Sequence, residues 1–222
     1  MRLQVYPSRD ALMQGLAGVI AGELRAALVA GPATLSVPGG TTPGPVFDAL
    51  SGMALDWSRV AVLLNDERWV GEDSPRSNTR LLRQRLLVGR AAVAELVPLY
   101  APMATPEEGL AVLAKGIAPH LPISVLLLGM GDDMHTASLF PGADHLSAAL
   151  AEDAPILMAL RAEAAGEPRI TLTARVLRAA HNIHLLITGA DKRAALERAM
   201  QLPPDKAPVR VVMDQAVVHW AG

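Results

Sequence analysis

The chain has 222 residues, which suits one ordinary domain or one large α/β domain. Hydrophobic residues make up 51% of it and charged residues 19%, enough for a packed core. A net charge of −2 without a long run of one sign argues against bulk nucleic-acid or membrane-surface binding. The absence of cysteine excludes disulfides, thiolate catalysis and Cys-based zinc sites. We see no signal peptide and no uncharged apolar run long enough to span a membrane, so we expect a soluble cytoplasmic protein.

Helices and short apolar strands alternate along the chain. Helical spacing of leucine, valine and isoleucine predicts a first helix with Ser8 as its N-cap. In chain order, helices are predicted over residues 8–30, 45–50, 77–87, 106–118 and 191–200, with a short one after Thr173. Strands are predicted over residues 33–37, 60–64, 123–128, 156–160, 183–187, 209–213 and 216–219.

This order of elements predicts the fold class. Short, continuous apolar strands separated by helices are typical of a parallel sheet covered on both faces. We therefore expect a single domain over residues 1–222, a three-layer αβα fold with a mostly parallel, Rossmann-like sheet and helices on both faces. Ligands of such sheets bind outside the carboxyl ends of the strands. Polar residues follow four of the predicted strands, so we expect the functional site there.

The first polar segment is Gly39-Gly40-Thr41-Thr42, between a strand and a helix. Glycines let backbone N–H groups approach an anion, and a helix start adds a favourable dipole. The segment therefore predicts a phosphate site, although an ordinary strand-to-helix turn would read the same way. It is not a Walker A loop, because no Gly-Lys-Ser/Thr follows.

The second segment is Asn65-Asp66-Glu67-Arg68. One of its carboxylates could position a substrate hydroxyl or a proton, and Arg68 could bind an anion or a developing oxyanion. The alternative is a solvated loop with a local ion pair, and we favour this interpretation when the segment is taken alone.

The third segment places His135 two and three residues after Asp133 and Asp132. Histidine is the usual general base near neutral pH, and a carboxylate can fix its tautomer. The spacing leaves open which aspartate does so. The alternative is a histidine that caps a helix starting near Thr136. A metal site is a weaker hypothesis, because there is no HExxH motif and no second histidine at ligand spacing.

Arg169 and Lys192 are lone basic residues near the ends of elements. Arg169 adjoins an apolar stretch, where an arginine needs a partner, and Lys192 lies at a helix start, which its charge does not favour. An anion between them would explain both positions. The other histidines have no such neighbours and are interpreted as surface or structural: His120, His145, His181, His184 and His219.

Taken together, the segments PGGTTP, NDERWV followed by SPRSN, GMGDDMHTASLFPG, PRITLT and GADK, in this order over residues 36–192, resemble the 6-phosphogluconolactonase family. Related glucosamine-6-phosphate deaminases and isomerases typically carry Glu where this chain has Phe140, and Asp-Glu-Tyr where it has Asp66-Glu67-Arg68. Both differences favour the lactonase. The lactonase motif usually has Gly before its histidine, where this chain has Met134, a costly choice if that position needs a positive φ.

The resemblance implies hydrolysis of 6-phospho-D-glucono-1,5-lactone to 6-phospho-D-gluconate in the oxidative pentose phosphate pathway. It implies His135 as general base, Asp133 as the residue that orients it, Arg68 at the oxyanion or substrate, and Asp66 at sugar hydroxyls. The phosphate would be held by Gly39, Gly40, Thr41, Thr42, Arg169 and Lys192. No metal or organic cofactor is expected. The expected partner is a small phosphosugar lactone rather than nucleic acid or a membrane, and the expected state is a monomer or a weak homo-oligomer.

Two alternatives stay open at this point. One is a glucosamine-6-phosphate deaminase/isomerase-like enzyme, which the resemblance places in the same family. The other is a non-catalytic phosphosugar-binding domain of a regulator, which usually carries a DNA-binding helix-turn-helix. We expect no such module within the α/β pattern, and the presence of His135 with Asp133 argues for an enzyme.

Overall fold

The fold contains one large parallel sheet and one small antiparallel sheet. The computed structural model describes the backbone of residues 1–222 and every side chain except that of Ala164. The strands are β1 (Arg2–Val5), β2 (Ala33–Val37), β3 (Val60–Leu64), β4 (Asp66–Arg68), β5 (Glu95–Leu96), β6 (Val125–Gly129), β7 (Leu157–Leu160), β8 (Arg169–Leu172), β9 (Asn182–Thr188) and β10 (Val217–Ala221). The helices are α1 (Arg9–Ala30), α2 (Gly44–Ser51), α3 (Asn78–Arg85), α4 (Pro106–Ile117), α5 (Leu146–Leu150), α6 (Ala174–Arg178), α7 (Ala190–Ala199) and α8 (Arg210–Met213).

The large sheet has seven parallel strands in the order β1-β10-β9-β6-β2-β3-β5. Every residue of β2 and β3 is buried, as in a sheet whose two faces are both covered by helices. Their apolar side chains join the main hydrophobic core. The expected α/β class, with a mostly parallel sheet flanked by helices, is confirmed.

Helix α1 is the longest element and packs into this core. The side chain of Ser8 caps it by accepting a hydrogen bond from the Ala11 N–H at 3.1 Å, as its sequence predicts. By length and composition alone, α1 could cross a membrane. Its apolar residues Leu12, Leu16 and Ile20 are fully buried, however, and a core helix accounts for that composition.

The order of strands places a crevice between β2 and β6. From β2 the chain continues to β3 and β5 on one side, whereas β6, β9 and β10 extend the sheet on the other side. The loops that leave the carboxyl ends of β2 and β6 therefore diverge to opposite sides. Such a switch point is where open α/β sheets bind ligands.

The small sheet, in the order β4-β8-β7, was not expected from the sequence. Residues 66–68, read as a loop, form β4 because they pair antiparallel with β8. Asn65 joins the two sheets: its side chain accepts from Ser36 Oγ at 2.6 Å and donates to the Leu127 carbonyl at 2.7 Å. Its own carbonyl accepts from the Leu172 N–H at 2.9 Å. The small sheet is thereby fixed against the ends of β2 and β6.

Two local expectations are wrong, and strand β1 was missed. Residues 209–213 are not a strand: Arg210–Met213 is a short helix, because a brief β-branched run does not by itself separate strand from helix. Strand β1 at the sheet edge was missed, since its half-exposed residues have no apolar run. No helix starts near Thr136; residues 136–139 form a tight turn in which the Leu139 N–H donates to the Thr136 carbonyl.

Candidate active site

A cleft of about 330 Å³ opens at the carboxyl ends of β2, β6 and β9. Its volume falls in the range of sites for small molecules. Polar and charged side chains from both sheets face it. It is lined, among others, by Gly39, Gly40, Thr42, Asp66, Arg68, Asn78, Gly131, His135, Phe140, Arg169 and Lys192. Ten residues were proposed from the sequence for catalysis or phosphate binding. Eight of them line this cleft, and a ninth, Asp133, is hydrogen-bonded to His135 in the lining.

The loop after β6 is tightly folded and carries His135. The Met134 N–H donates to the Gly131 carbonyl and the Gly131 N–H to the His135 carbonyl, both at 3.0 Å. A side-chain carbon at Gly131 would lie 2.1 Å from His135 Nδ1, so only glycine fits. Met134 has φ of +66°, the conformation that favours the glycine usual at that position. Hence this chain keeps the turn despite a side chain that disfavours it.

Asp133, and not Asp132, is the aspartate in contact with His135. Its Oδ1 lies 2.5 Å from His135 Nδ1 and also accepts from the backbone N–H of His135. Burial raises the pKa of Asp133, but the hydrogen bonds and charge of His135 outweigh this effect and leave that pKa lowered. Asp132 points elsewhere and pairs with Lys192 at 2.9 Å. Among the described residues, His135 Nε2 has no hydrogen-bond partner and is available to a ligand.

Strand alternation in β4 separates its two carboxylates. Asp66 and Arg68 both line the cleft, whereas Glu67 is fully buried on the opposite face. Asp66 Oδ2 accepts from Ser138 Oγ at 2.5 Å and lies 3.7 Å from Arg169 Nη1. In the part of the chain that the structure describes, nothing donates to Asp66 Oδ1. That oxygen remains available to a hydroxyl group of a ligand.

Glu67 fixes the segment that follows β4. One of its oxygens accepts from the N–H groups of Arg68 and Asn78, both at 2.8 Å. The other accepts from Ser77 Oγ at 3.2 Å and from Thr79 N–H and Oγ1 at 2.7 and 2.8 Å. Five donors thus converge on one buried carboxylate at the start of α3. The resulting clamp sets the positions of two cleft residues, Arg68 and Asn78.

Arg68 and Arg169 form a cationic pair with unmet hydrogen-bonding capacity. The two residues are register partners between β4 and β8. Arg68 Nη1 donates to the Arg76 carbonyl and Arg169 Nη2 to the Ala165 carbonyl, yet the buried Nε of each has no partner among the described residues. Burial lowers the pKa of Arg169, with Asp66 opposing the effect, but a guanidinium stays charged in proteins. Two adjacent guanidinium groups that line one cleft favour an anionic ligand.

The loop after β2 reaches the cleft through Gly39, Gly40 and Thr42. A side-chain carbon at Gly39 would lie 1.9 Å from Asn78 Oδ1, and Gly40 has φ of +85°, so both positions suit glycine. Thr41 is exposed and is not among the residues that line the cleft. The structure therefore brings three of the four predicted residues of this loop to the site.

Lys192 lines the cleft from the large sheet, whereas Arg68 and Arg169 line it from the small sheet. Its Nζ donates to the Met130 carbonyl at 2.9 Å and pairs with Asp132 at the same distance. The turn before it is held by β10, because the Gly189 N–H donates to the Ala221 carbonyl at 2.8 Å and Trp220 Nε1 donates to the Gly189 carbonyl at 2.9 Å. Lys192 is thus a cation mounted on the β9–β10 side of the large sheet.

Two cleft residues escaped the sequence reasoning. Asn78 is 3% exposed and donates from Nδ2 to the Asp66 carbonyl at 3.0 Å. Its only sequence signal is the SPRSN segment that follows NDERWV. Phe140 lies with its ring centroid 4.2 Å from that of His135, and the Arg169 guanidinium lies 5.7 Å from the same phenyl ring. A lone phenylalanine carries no signal of this kind.

The arrangement combines a histidine–aspartate pair, a carboxylate with a spare oxygen and three cationic groups in one cleft. It can hold an anionic molecule and remove or deliver a proton beside it. Among the described residues, no group of three or more His, Asp or Glu side chains is placed to hold a metal ion.

Fold and cleft together define the class: an α/β protein with an acid–base site for an anionic small molecule at the switch point of its parallel sheet. Residues 7–220 match the family described as glucosamine-6-phosphate isomerases/6-phosphogluconolactonase, and the chain belongs to that family.

Curated relatives and a solved structure agree with this assignment over nearly the whole chain. A 6-phosphogluconolactonase of Mesorhizobium japonicum is 44% identical and covers 97% of this chain and 93% of its own length. One from Rhizobium meliloti is 40% identical and covers 99% of this chain and 98% of its own length. The crystal structure of a 6-phosphogluconolactonase from Shewanella baltica OS155 superposes with a TM-score of 0.96 at 35% identity, covering 100% of this chain and 98% of its own.

Proposed function

We propose that this protein hydrolyses 6-phospho-D-glucono-1,5-lactone to 6-phospho-D-gluconate, the lactonase step of the oxidative pentose phosphate pathway. The observation that carries the proposal is the His135–Asp133 pair facing a cleft with three cationic side chains, in a chain 40–44% identical to curated 6-phosphogluconolactonases. The enzyme is accordingly a hydrolase of a sugar lactone.

Binding would use cations that line the cleft. Arg169 and Lys192 would neutralise the phosphate, and Gly39 and Gly40 would bring backbone N–H groups to it. The place of Arg169 in the cleft lining supports this role, since Asp66, at 3.7 Å, lies beyond hydrogen-bond distance of its guanidinium. Held in this way, the lactone ring meets the catalytic groups in a fixed orientation, which replaces a bimolecular encounter by a unimolecular one.

The chemistry would use His135 as general base. Its Nε2 takes a proton from water as the water oxygen bonds to the lactone carbonyl carbon, while Asp133 holds Nδ1 and stabilises the imidazolium. Arg68, which lines the cleft, would stabilise the developing oxyanion with its guanidinium charge. The carbon–oxygen bond of the ring then breaks, and His135 returns the proton to the departing ring oxygen. Asp66 Oδ1 would accept from a sugar hydroxyl.

The remaining properties extend the same proposal. We propose that residues 1–222 act as one domain in a soluble cytoplasmic protein whose partner is a small phosphosugar lactone rather than nucleic acid or a membrane. The small net charge of −2 supports this view. A monomer or weak homo-oligomer is expected, and light scattering across a concentration series measures it.

The direct test is lactone hydrolysis. Freshly prepared 6-phosphogluconolactone is followed with wild-type protein, with the His135→Ala variant and with buffer alone, each with and without EDTA. We expect acceleration well above the spontaneous rate, unchanged by EDTA and lowered about 10²–10⁴-fold in kcat by the substitution. Wild-type protein that does not exceed buffer refutes the function, and glucosamine 6-phosphate deamination is then assayed. Equal rates for wild type and variant refute the role of His135.

A further inference from the structure

His135 is held by a single side-chain hydrogen bond. Asp133 fixes Nδ1 at 2.5 Å, but the His135 side chain remains 29% exposed. One hydrogen bond fixes one atom of a ring and leaves the ring free to turn about that contact. A general base needs a fixed Nε2 direction, because proton transfer depends on the alignment of donor and acceptor. A second contact, across the plane of the imidazole, is required.

Phe140 supplies this contact. Its ring centroid lies 4.2 Å from that of His135, with an angle of 33° between the ring planes. A tilted contact between aromatic rings at this distance is favourable. Phe140 is 6% exposed and lines the cleft, so its ring is packed on the protein side and cannot itself turn away.

The backbone that carries Phe140 is well fixed. Thr136 and Ser138 are fully buried, and their hydroxyls donate to the Gly129 carbonyl and to Asp66 Oδ2. The Ala143 N–H donates to the Phe140 carbonyl at 3.1 Å. The phenyl ring is therefore a rigid surface, anchored to β6 and to the small sheet, against which the more exposed histidine rests.

The chemical character of the ring matters as much as its position. A phenyl ring offers no hydrogen-bond donor or acceptor, so it leaves His135 Nε2 to the reacting water. The Arg169 guanidinium lies 5.7 Å from the same ring, a favourable cation–π distance, so the phosphate-binding cation and the base share one apolar support. A carboxylate in place of the phenyl ring would offer both groups a competing partner.

We propose that Phe140 is a positioning residue, whose ring fixes the imidazole plane of His135 and leaves Nε2 unpartnered for the attacking water. The inference rests on the proposed function for its kinetic measurement. It predicts a loss in kcat rather than in substrate binding when the ring is removed.

The chain offers a matched control, because it contains only one other phenylalanine, Phe47. Phe47 is fully buried in the core and does not line the cleft. Phe140→Leu and Phe47→Leu therefore make the same chemical change at a cleft position and at a core position. Phe140→Tyr restores the ring. Each variant is assayed below its unfolding temperature, so that lost stability does not enter kcat.

We expect Phe140→Leu to lower kcat about 10-fold or more, with KM within about threefold of wild type. Phe47→Leu is expected to keep kcat, and Phe140→Tyr to recover most of the loss. Equal kcat for Phe140→Leu and Phe47→Leu would overturn the inference, as would a Phe140→Tyr variant as slow as Phe140→Leu while fully folded.

An NMR measurement separates this inference from the proposed function. The imidazole carbon-bound protons of His135, assigned with His135→Ala, should move when Phe140→Leu removes the ring current and stay in place in Phe47→Leu. If wild-type protein has no lactonase activity but the resonances move, the function fails and the positioning contact stands. If they do not move, the contact is absent and the inference fails whatever the activity.

Discussion

Arg68 and Arg169 lie opposite each other in the antiparallel pair of β4 and β8, and each keeps a buried Nε without a partner among the described residues. Like charges directly opposite in a sheet are unfavourable. Asp66, 3.7 Å from Arg169, offsets part of the repulsion. On the proposed function, the anionic substrate would bind beside this pair and offset more of the repulsion.

The first prediction concerns Arg169→Ala. Loss of a charge-assisted hydrogen bond to the phosphate should raise KM about 10–100-fold, with a smaller loss in kcat because phosphate binding also assists the chemistry. Steady-state lactone kinetics measure both constants. Arg83→Ala is the control, since Arg83 forms only an exposed pair with Glu72. An unchanged KM in Arg169→Ala would remove this residue from the phosphate site.

The neighbouring aspartates give a second prediction. Asp133→Asn should lower kcat about 10²-fold or more, because an amide cannot stabilise the imidazolium and favours the wrong tautomer. Asp132→Asn, one residue away, should keep kcat and change KM only modestly through Lys192. Kinetics of the two variants side by side provide the measurement. Similar losses of kcat in both would show that the loop charge as a whole, rather than the contact with His135, is what matters.

A third prediction addresses Glu67, whose carboxylate accepts from five donors while fully buried. Glu67→Gln replaces one acceptor oxygen by an NH₂ group that faces donors, so we expect a loss of about 3 kcal/mol in the free energy of unfolding. Urea denaturation measures it. Glu72→Gln breaks an exposed ion pair and should cost less than about 1 kcal/mol. Equal urea midpoints for the two variants would contradict the stabilising role of the Glu67 carboxylate.

The fourth prediction concerns pH and a row of hydrogen-bonded, partly to fully buried side chains that does not line the cleft. A Glu23 carboxylate oxygen lies 2.6 Å from His184 Nε2, His184 Nδ1 lies 3.0 Å from His219 Nε2, and His219 Nδ1 lies 2.9 Å from the Tyr6 hydroxyl. Burial, then the charges of His184 and Arg2, lowers the pKa of His219 from 6.5 to about 4.

A histidine with a lowered pKa is neutral in the folded state where the unfolded chain already takes up a proton. The contribution of His219 to the free energy of unfolding is therefore fully present above pH 6.5 and is lost as the pH falls from there towards 4. At pH 5 we expect about 2 kcal/mol less than at pH 8 from this group. Urea denaturation at both values, compared between wild type and His219→Gln, tests this. The variant should lose that part of the pH dependence, whereas the exposed His145→Gln should keep it.

The parallel sheet could be predicted because its signal is local. Strands such as Ala33–Val37 and Val60–Leu64 are buried on both faces and are therefore mostly apolar. Such a run can be recognised as a strand without knowing which strands lie beside it. Strand β4 could not be predicted, since Asp-Glu-Arg becomes a strand only by pairing with β8, about a hundred residues later. The short helix Arg210–Met213 is a similar case, because tertiary contacts decide the conformation of so short a segment.

The candidate site shows the same division. Glycine-rich turns and a histidine near carboxylates mark strand ends, so the sequence pointed to the loops that carry Gly39, Arg68, His135 and Lys192. Distances decide the rest. Asp66 and Glu67 are adjacent and chemically alike, and only the alternation of β4 sends one to the cleft and the other to α3. The contact of Phe140 with His135 depends on the tight turn over residues 136–139, which residue propensities do not predict.

The hydrogen bonds from Gly189 and Trp220 mount Lys192 on the β9–β10 pair, whereas Arg68 and Arg169 belong to the small sheet. The cations that line the cleft thus come from both sheets, and Asn65 holds those sheets together through its bonds to Ser36, Leu127 and Leu172. The proposed phosphate site therefore depends on how one sheet is seated against the other. A substitution at Asn65 would shift its cations apart and weaken substrate binding, although Asn65 itself does not line the cleft.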